Sequence, residues 1–536
     1  MRAASLNALF EAAVQAYADR PCLEFLGRQW RYREVDTLVG RAAAGLAAMG
    51  VKPGDRVGLC LPNSMHFVVS YFATLRLGAV VVNFNPLYAP PELDFQARDA
   101  GVGVMVTTDL APIQGRVLAL LRSGAISAVV LCPFASGLSP IKAAAFRLFK
   151  RSMIEPLPSS SPAIVTWPHL LSHGAAATAL QVSPQDLAVL QYTGGTTGSP
   201  KGAMLTHANL AANAWQVQSW FPDNRPGHER VLAVLPLFHV FAMTVVLNAA
   251  LGWGAEIVLL PRFEMPSFLA AMRRRRPTIM AGVPTLFRAI VDKGATEADL
   301  ASLAVCISGG ASLPHSVKQA FEQKAACRLV EGYGLTEASP VCYCNPVRGE
   351  QRPGTIGLPL PELQAEIRAL RDPSLRMPFG EPGELCLRGP NVMLGYWHRP
   401  DATSATMTED GWLRTGDVAI MAEDGFVEIV DRIKDLIICS GFNVYPRSIE
   451  DALYRHPDVV EAVVVGVPDP YRGEAAVAFV QLAPGATSTP ETLAAFLKGQ
   501  ISPIEQPQRI EIRDALPRTL IGKLSRKELR AELEAI

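Results

Sequence analysis

Residues 192–202 read YTGGTTGSPKG, a loop of glycines and threonines with Lys201 next to its end. Glycine amides and threonine hydroxyls can wrap anionic oxygens, and a lysine beside them adds charge, so the chemistry on offer is phosphate binding. The spacing is not that of a P-loop ATPase. That motif needs GxxxxGK, then Ser or Thr, then a helix. Here Lys201 follows Gly198 by three residues, Gly202 comes next, and the chain runs on as the strand-like AMLTH. Four other stretches carry reactive side chains. EGYGLTE (331–337) offers the Tyr333 ring to a base, the Thr336 hydroxyl, and the Glu337 carboxylate to a metal. WLRTGD (412–417) ends in Asp417, a bidentate partner for ribose hydroxyls. PLFHVFA (236–242) sets His239 among aromatic and aliphatic neighbours, where a histidine is more often a core residue than a catalyst. PRTLIGK (517–523) brings Lys523 near the C-terminus. Taken singly, each also reads as an ordinary turn, core or surface feature.

Such loops need rigid elements behind them. From about Asp186 short apolar runs alternate with helical periods. LAVLQY, VLAVLP, EIVLL, TIMAGV, AVCIS and RLVEGYG are strand-like. HANLAANAWQVQSW, PSFLAAMRRRR, PTLFRAIVDKG and PHSVKQAFEQKA are helical, and Pro266, Pro284 and Pro314 fall at helix starts, where a missing N–H costs little. Alternation of this kind predicts an α/β fold with parallel sheets covered by helices. YTGGTTGSPKG and EGYGLTE both leave the carboxyl ends of strands, where such folds bind ligands. Residues 155–168 read as a Pro/Ser-rich connection. After Gly354 short strands and tight turns predict a β-rich part over about 355–431, and the remainder, 432–536, reads as a compact α+β domain.

Composition narrows the class. Hydrophobic residues make up 49% of the 536 and charged residues 19%, the balance of a packed globular chain. Fifty basic and fifty acidic side chains cancel, which gives nucleic-acid binding no support. Nine scattered cysteines predict reduced thiols in a cytosolic protein, and the Cys342–Cys344 pair lacks neighbouring zinc ligands. The N-terminus reads as an amphipathic helix rather than a secretory signal. Residues 231–260 are apolar enough to imitate a membrane span, yet Pro236, His239, Asn248 and Glu256 favour a strand, a loop, a buried helix and a second strand.

Read together in chain order, YTGGTTGSPKGAMLTH, LPLFHVFA, EGYGLTEASP, GELCLRGPNVMLGYW, GWLRTGD, DRIKDLIICSGFNVYP and LPRTLIGK resemble the adenylate-forming superfamily of acyl-CoA synthetases, luciferases and peptide-synthetase adenylation domains. The wording is most similar to bacterial long-chain fatty-acid–CoA ligases. The resemblance implies a large N-terminal domain (1–431) of αβαβα sheets and a mobile C-terminal domain (432–536). It implies fatty acid, ATP and CoA as substrates, with Mg²⁺ near Thr193 and Glu337. Thr193, Gly194, Gly195, Thr196, Thr197, Gly198 and Lys201 are then expected on the phosphates. Adenine is expected between Gly309-Gly310-Ala311 and Tyr333, with Gly332, Gly334 and Leu335 in the same stretch and Thr336 near the α-phosphate. Asp417 and Arg432 would take the ribose, and Lys434 would be the hinge. Gly441 would line the CoA channel, His239 would sit beside the acyl pocket, and Lys523 would contact the carboxylate and α-phosphate.

The acyl chain is expected against MTVVLNAALG (243–252) and GVPTLF (282–287), with Trp253 either capping that tunnel or packing in the core. Arg273–Arg276 reads as a solvated helix end. IKAAAFRLFKRSM (141–153) reads as an interfacial helix. The setting is thus cytoplasmic, with room for contact with a membrane and for a homodimer. Other readings stay open on sequence: an acyl-AMP ligase, an aryl-acid–CoA ligase, a luciferase-like oxygenase, or a non-catalytic nucleotide-binding scaffold. Intact Lys523, Glu337, Asp417 and Arg432 argue against the last.

Overall fold

Val80–Asn83 is VVVN and is buried at all four positions, three valines in a row as in a parallel strand covered on both faces. Strands of this kind build the first of two units. The computed structural model describes residues 3–156, 161–173, 180–193, 200–440, 442–518 and 524–534. By contacts the chain divides into Met1–Gln364 with Arg388–Met407, and Ala365–Leu387 with Thr408–Ile536.

Two sheets make up the first unit. The seven-stranded sheet runs Ile164–Thr166, Ala128–Cys132, Val102–Thr108, Arg56–Cys60, Val80–Asn83, Leu187–Thr193, Lys201–Thr206. All its neighbours are parallel except the last pair, which turns back antiparallel. The nine-stranded sheet runs Leu358–Pro359, Val341–Cys344, Arg328–Gly334, Val305–Ser308, Ile279–Gly282, Arg230–Ala233, Glu256–Leu259, Pro21–Phe25, Arg28–Arg31. Its six central strands are parallel and its edges antiparallel. Helix Met65–Arg76 starts on Ser64, whose hydroxyl caps the Phe67 N–H, and buries all twelve of its residues. A helix apolar on nearly every side belongs inside, and this one is interior.

The predicted prolines fall where expected, at the starts of Met265–Arg275 and Pro284–Asp292 and at the N-cap of His315–Ala325. The apolar 231–260 stretch resolves into a strand, a loop, the buried helical segments Ala242–Asn248 and Ala249–Gly252, and a second strand. No helix among the described residues is long and apolar enough to cross a membrane.

One reading is corrected by partners distant in sequence, and the alternative left open for Trp253 is decided. The arginines of the Met265–Arg275 helix end are not merely solvated. Arg273 Nε donates to Asp299 at 2.6 Å, Arg274 Nη2 to Glu24 at 2.5 Å, and Arg275 Nη2 to Glu256 at 2.6 Å. Three acids, each nearly buried, thereby gain a cation. Trp253 packs edge-on against Phe221, ring centroids 5.3 Å apart, as a core residue.

In the second unit a four-stranded sheet runs Gln364–Arg368, Gly383–Arg388, Leu413–Met421, Val427–Arg432. A five-stranded sheet follows, built on the long antiparallel pair Val459–Asp469 and Gly473–Leu482. Ile449, Leu453, Leu493 and Leu497 from helices Pro446–Leu453 and Pro490–Leu497 pack on Val464 and Ala478 of that pair.

Candidate active site

Four adjacent parallel strands of the nine-stranded sheet end in residues singled out by the sequence. Arg230–Ala233 leads into the His239 loop, Ile279–Gly282 into Val283-Pro284, Val305–Ser308 into Gly309-Gly310-Ala311, and Arg328–Gly334 into Leu335-Thr336-Glu337. The carboxyl ends of neighbouring strands in one sheet therefore carry the expected adenine-side and acyl-side residues, as open α/β sheets arrange their ligand crevices.

Close approach explains the glycines. A Cβ on Gly309 would lie 2.9 Å from the Phe241 ring and 3.4 Å from the Gly332 carbonyl oxygen. Phe241 belongs to the same loop as His239, whose Nδ1 accepts the Phe241 N–H at 3.4 Å. His239, Phe241, Gly309 and Gly332 are thus one cluster. Gly310 has φ 83°, and Gly310 and Ala311 are exposed. A Cβ on Gly334 would strike the Pro340 carbonyl oxygen at 1.9 Å, because the chain doubles back there and Leu335 N–H donates to that same oxygen at 3.1 Å. The half-buried Tyr333 ring faces Tyr343 of the neighbouring strand at 6.5 Å.

The turn holding Thr336 and Glu337 is fastened from several elements. Asn213, fully buried on helix His207–Ser219, accepts the Val341 N–H at 2.9 Å and donates to the Val341 carbonyl at 2.7 Å. Thr244 Oγ1 donates to the Ser339 carbonyl at 2.6 Å, and Asn391 Nδ2 to that of Ala338 at 2.8 Å. Met393 N–H donates to the Glu337 carbonyl at 2.8 Å. Buried polar side chains of this kind stay only where their hydrogen bonds are made, and here they fix the backbone that carries Glu337.

The phosphate-loop candidates join this cluster through a tyrosine the sequence reading did not single out. Thr193 and Lys201 face each other across the antiparallel pair, and Thr193 Oγ1 lies 3.4 Å from the Lys201 carbonyl. Lys201 Nζ sits 5.1 Å above the centroid of the Tyr396 ring. Tyr396 Oη donates to Glu337 Oε1 at 2.6 Å, and burial followed by the Glu337 charge pushes the phenol well above its ordinary range. Tyr396 lies within GELCLRGPNVMLGYW, but nothing in the spacing shows that it reaches back to Glu337. Gln191 Nε2 ties the same strand to the His239 loop by donating to the Phe238 carbonyl at 3.1 Å. Gly194, Gly195, Thr196, Thr197, Gly198, Gly441 and Lys523 lie outside the described residues.

The second unit brings its own predicted residues together. Asp417 and Arg432 are register partners across Leu413–Met421 and Val427–Arg432, with Arg432 Nε 3.2 Å from Asp417 Oδ1. Lys434 follows in the short turn Ile433–Asp435, where burial and then the Arg432 charge hold its amine below the usual lysine range.

Family models for AMP-binding enzyme and for the AMP-binding enzyme C-terminal domain match residues 10–397 and 448–523. The chain is 39% identical to the long-chain-fatty-acid–CoA ligase of Bacillus subtilis strain 168, over 98% of this chain and 94% of that one. It is 39% identical to the enzyme of the same name from Escherichia coli O6:H1, with the same coverage. Among solved structures, ATP-bound MatB from Rhodopseudomonas palustris superposes with a TM-score of 0.87 at 29% identity, covering 99% of both chains. With the parallel-strand crevice in place and both family models matched, the chain belongs to the AMP-binding, adenylate-forming enzyme family.

Proposed function

We propose that this chain is an AMP-forming fatty acid–CoA ligase for medium- to long-chain acids. ATP, a fatty acid and CoA give acyl-CoA, AMP and diphosphate, by way of an acyl-adenylate. The observation that carries the reading is the near-full-length likeness to bacterial ligases of that name.

In the first half-reaction a carboxylate oxygen bonds to the α-phosphorus of ATP and the bond to diphosphate breaks. An anion must approach a polyanion, and two unit charges 4 Å apart repel by about 4 kcal/mol at an effective dielectric near 20. Lys201 beside the phosphate loop and Lys523 on the C-terminal segment are the cations assigned to this task, with Lys523 acting where charge develops at the α-phosphate. Thr193 and the 194–198 loop hold the outer phosphates, and Thr336 lies near the α-phosphate. The Tyr333 ring and the Gly309–Ala311 backbone flank adenine, with Gly332, Gly334 and Leu335 shaping the same wall. Asp417, paired with Arg432, takes the ribose hydroxyls.

The Glu337 carboxylate and the Thr193 hydroxyl suit Mg²⁺, which takes oxygen ligands and commonly only one or two carboxylates beside water and phosphate. Tyr396 donates to Glu337 Oε1, which orients the carboxylate as a ligand would require. When bound, the ion would neutralise phosphate charge.

In the second half-reaction the CoA sulfur bonds to the acyl carbon and the bond to AMP breaks. We assign residues 1–431 to holding ATP and acid, and residues 432–536 to a domain that turns about Lys434 to bring Gly441 to the thiol, a hinge movement. His239 stands beside the acyl pocket and gates access to the carboxyl carbon.

The experiment is a panel of fatty, dicarboxylic and aryl acids with ATP and CoA, following AMP and thioester. Thioester and AMP in equal amounts, highest for fatty acids, are expected. AMP without thioester would assign an acyl-AMP ligase, a preference for aryl acids an aryl-acid ligase, and absence of AMP a scaffold.

A further inference from the structure

Helix Pro140–Phe149 inverts the usual order of a surface helix. None of its ten residues is buried. Its outward face carries Ile141, Ala144, Ala145, Leu148 and Phe149, spaced at helical periods along one stripe. Ile141 is 85% exposed, Leu148 72% and Phe149 77%, and Met153 in the following turn is 40% exposed. The helix is held to the body by its other face. Phe146 packs on Phe134 at 5.1 Å between ring centroids, and Lys142 Nζ donates to the Leu26 carbonyl at 2.7 Å. Folding ordinarily takes large apolar side chains out of water, so a contiguous apolar stripe facing outward marks a contact surface.

The charge beside the stripe selects what covers it. Lys142, Arg147, Lys150 and Arg151 are the charged residues between Ser139 and Ile154, and no acid interrupts them in a chain whose overall charge is zero. Among the described residues Arg147, Lys150 and Arg151 form no close ion pair, although most arginines of the protein do; Arg147 acts on the buried Asp109 only at longer range. An apolar stripe edged by cations is complementary to a bilayer surface, with acyl chains beneath and anionic headgroups around it.

We propose that helix Pro140–Phe149, with the turn Arg151–Met153, docks the protein on anionic lipid bilayers, inserting Ile141, Leu148 and Phe149 while Arg147, Lys150 and Arg151 meet the headgroups. This deepens the fatty-acid reading by naming where a sparingly soluble acid is collected. Vesicle binding is measured without ATP, acid or CoA, so its failure leaves the thioester assay untouched and is distinguishable from failure of the ligase reading.

The test is co-sedimentation of the full chain with phosphatidylcholine vesicles containing or lacking a quarter phosphatidylglycerol, at fixed salt. Wild type is expected to partition onto the anionic vesicles. A basic side chain near an anionic surface is worth about fivefold in partition, so Arg147→Gln/Lys150→Gln/Arg151→Gln together should weaken it about a hundredfold. Leu148→Ser/Phe149→Ser should weaken it at least tenfold. These side chains are exposed, so thermal melts should match wild type. The proposal is overturned if wild type does not sediment, if either variant sediments as wild type does, or if both vesicle types bind equally. Sedimentation velocity that shows a dimer dissolved by Leu148→Ser/Phe149→Ser would instead assign the stripe to a second copy.

Discussion

Tyr396 touches both an expected phosphate cation and the expected metal carboxylate: its ring lies under Lys201 and its hydroxyl donates to Glu337. Phenylalanine there would keep the ring and remove the donor. A hydrogen bond to a charged group contributes about 1.5–3 kcal/mol, so Tyr396→Phe should slow adenylate formation about ten- to a hundredfold. It should also raise the Mg²⁺ concentration for half-maximal ATP–diphosphate exchange, with little change in the thermal melt. An unchanged Mg²⁺ dependence would reduce Tyr396 to a packing residue. Lys523 belongs to a different step. Lys523→Ala should cut acyl-adenylate formation by about 3 kcal/mol, the scale of losing one electrostatic group at a transition state, yet spare thioester formation from supplied acyl-adenylate. Equal losses in both half-reactions would remove Lys523 from the α-phosphate.

At the scale of elements, the C-terminal helix Arg526–Glu534 is anchored by ion pairs. Arg526 Nη2 donates to both oxygens of Glu450 at 2.7 Å, and Arg526 Nη1 and Arg530 Nη2 reach Asp435 at 3.1 and 3.2 Å. Burial pushes the Glu450 carboxyl up, and Arg526 pulls it back. Asp435 is in the same short turn as Lys434, so the helix following Lys523 in sequence is bound to the proposed hinge turn. Arg526→Met would leave the nearly buried Glu450 without its cation and Asp435 with Arg530 alone, a loss of about 3 kcal/mol. A separate second-unit transition at lower urea, by circular dichroism, is the expected result; coincidence with wild type would count against the clamp. The elements themselves were legible in the sequence, because βα alternation and helix-start prolines are local signals. The motifs named Asp417, Arg432 and Gly309, but not that Asp417 pairs with Arg432 or that Gly309 packs on Phe241. The partners of Arg273–Arg275 and the reach of Tyr396 to Glu337 were not legible. They come from residues brought close only by sheet order, and no periodicity records that order.

For the molecule as a whole, two buried histidines set how the first unit responds to acid. His66 is 2% exposed, with Nε2 2.9 Å from Ser136 Oγ and its ring edge-on to Trp167. Burial, reinforced by Arg28, holds it at about 3. His207 is fully buried, and neither ring nitrogen has a hydrogen-bond partner among the described residues. Burial lowers it to about 4 against the opposing pull of Asp186. Both folded values lie below the ordinary value of about 6.5. Above that pH neither folded nor unfolded chain protonates these rings, and their contribution to stability is complete. As pH falls below about 6.5 the unfolded chain takes up protons that the folded chain refuses. Stability then drops by about 1.4 kcal/mol per pH unit for each histidine, down to the folded value of each. Six of the seven tryptophans, Trp30, Trp167, Trp215, Trp220, Trp253 and Trp397, lie in the first unit, so tryptophan fluorescence follows its unfolding. Urea midpoints at pH 7, 6 and 5 should fall for wild type, more steeply in the second interval than in the first. His207→Asn and His66→Gln should each remove about half of the histidine part of that slope, and the double variant nearly all of it. A double variant as acid-sensitive as wild type between pH 6 and 5 would move the cause to groups other than these two histidines.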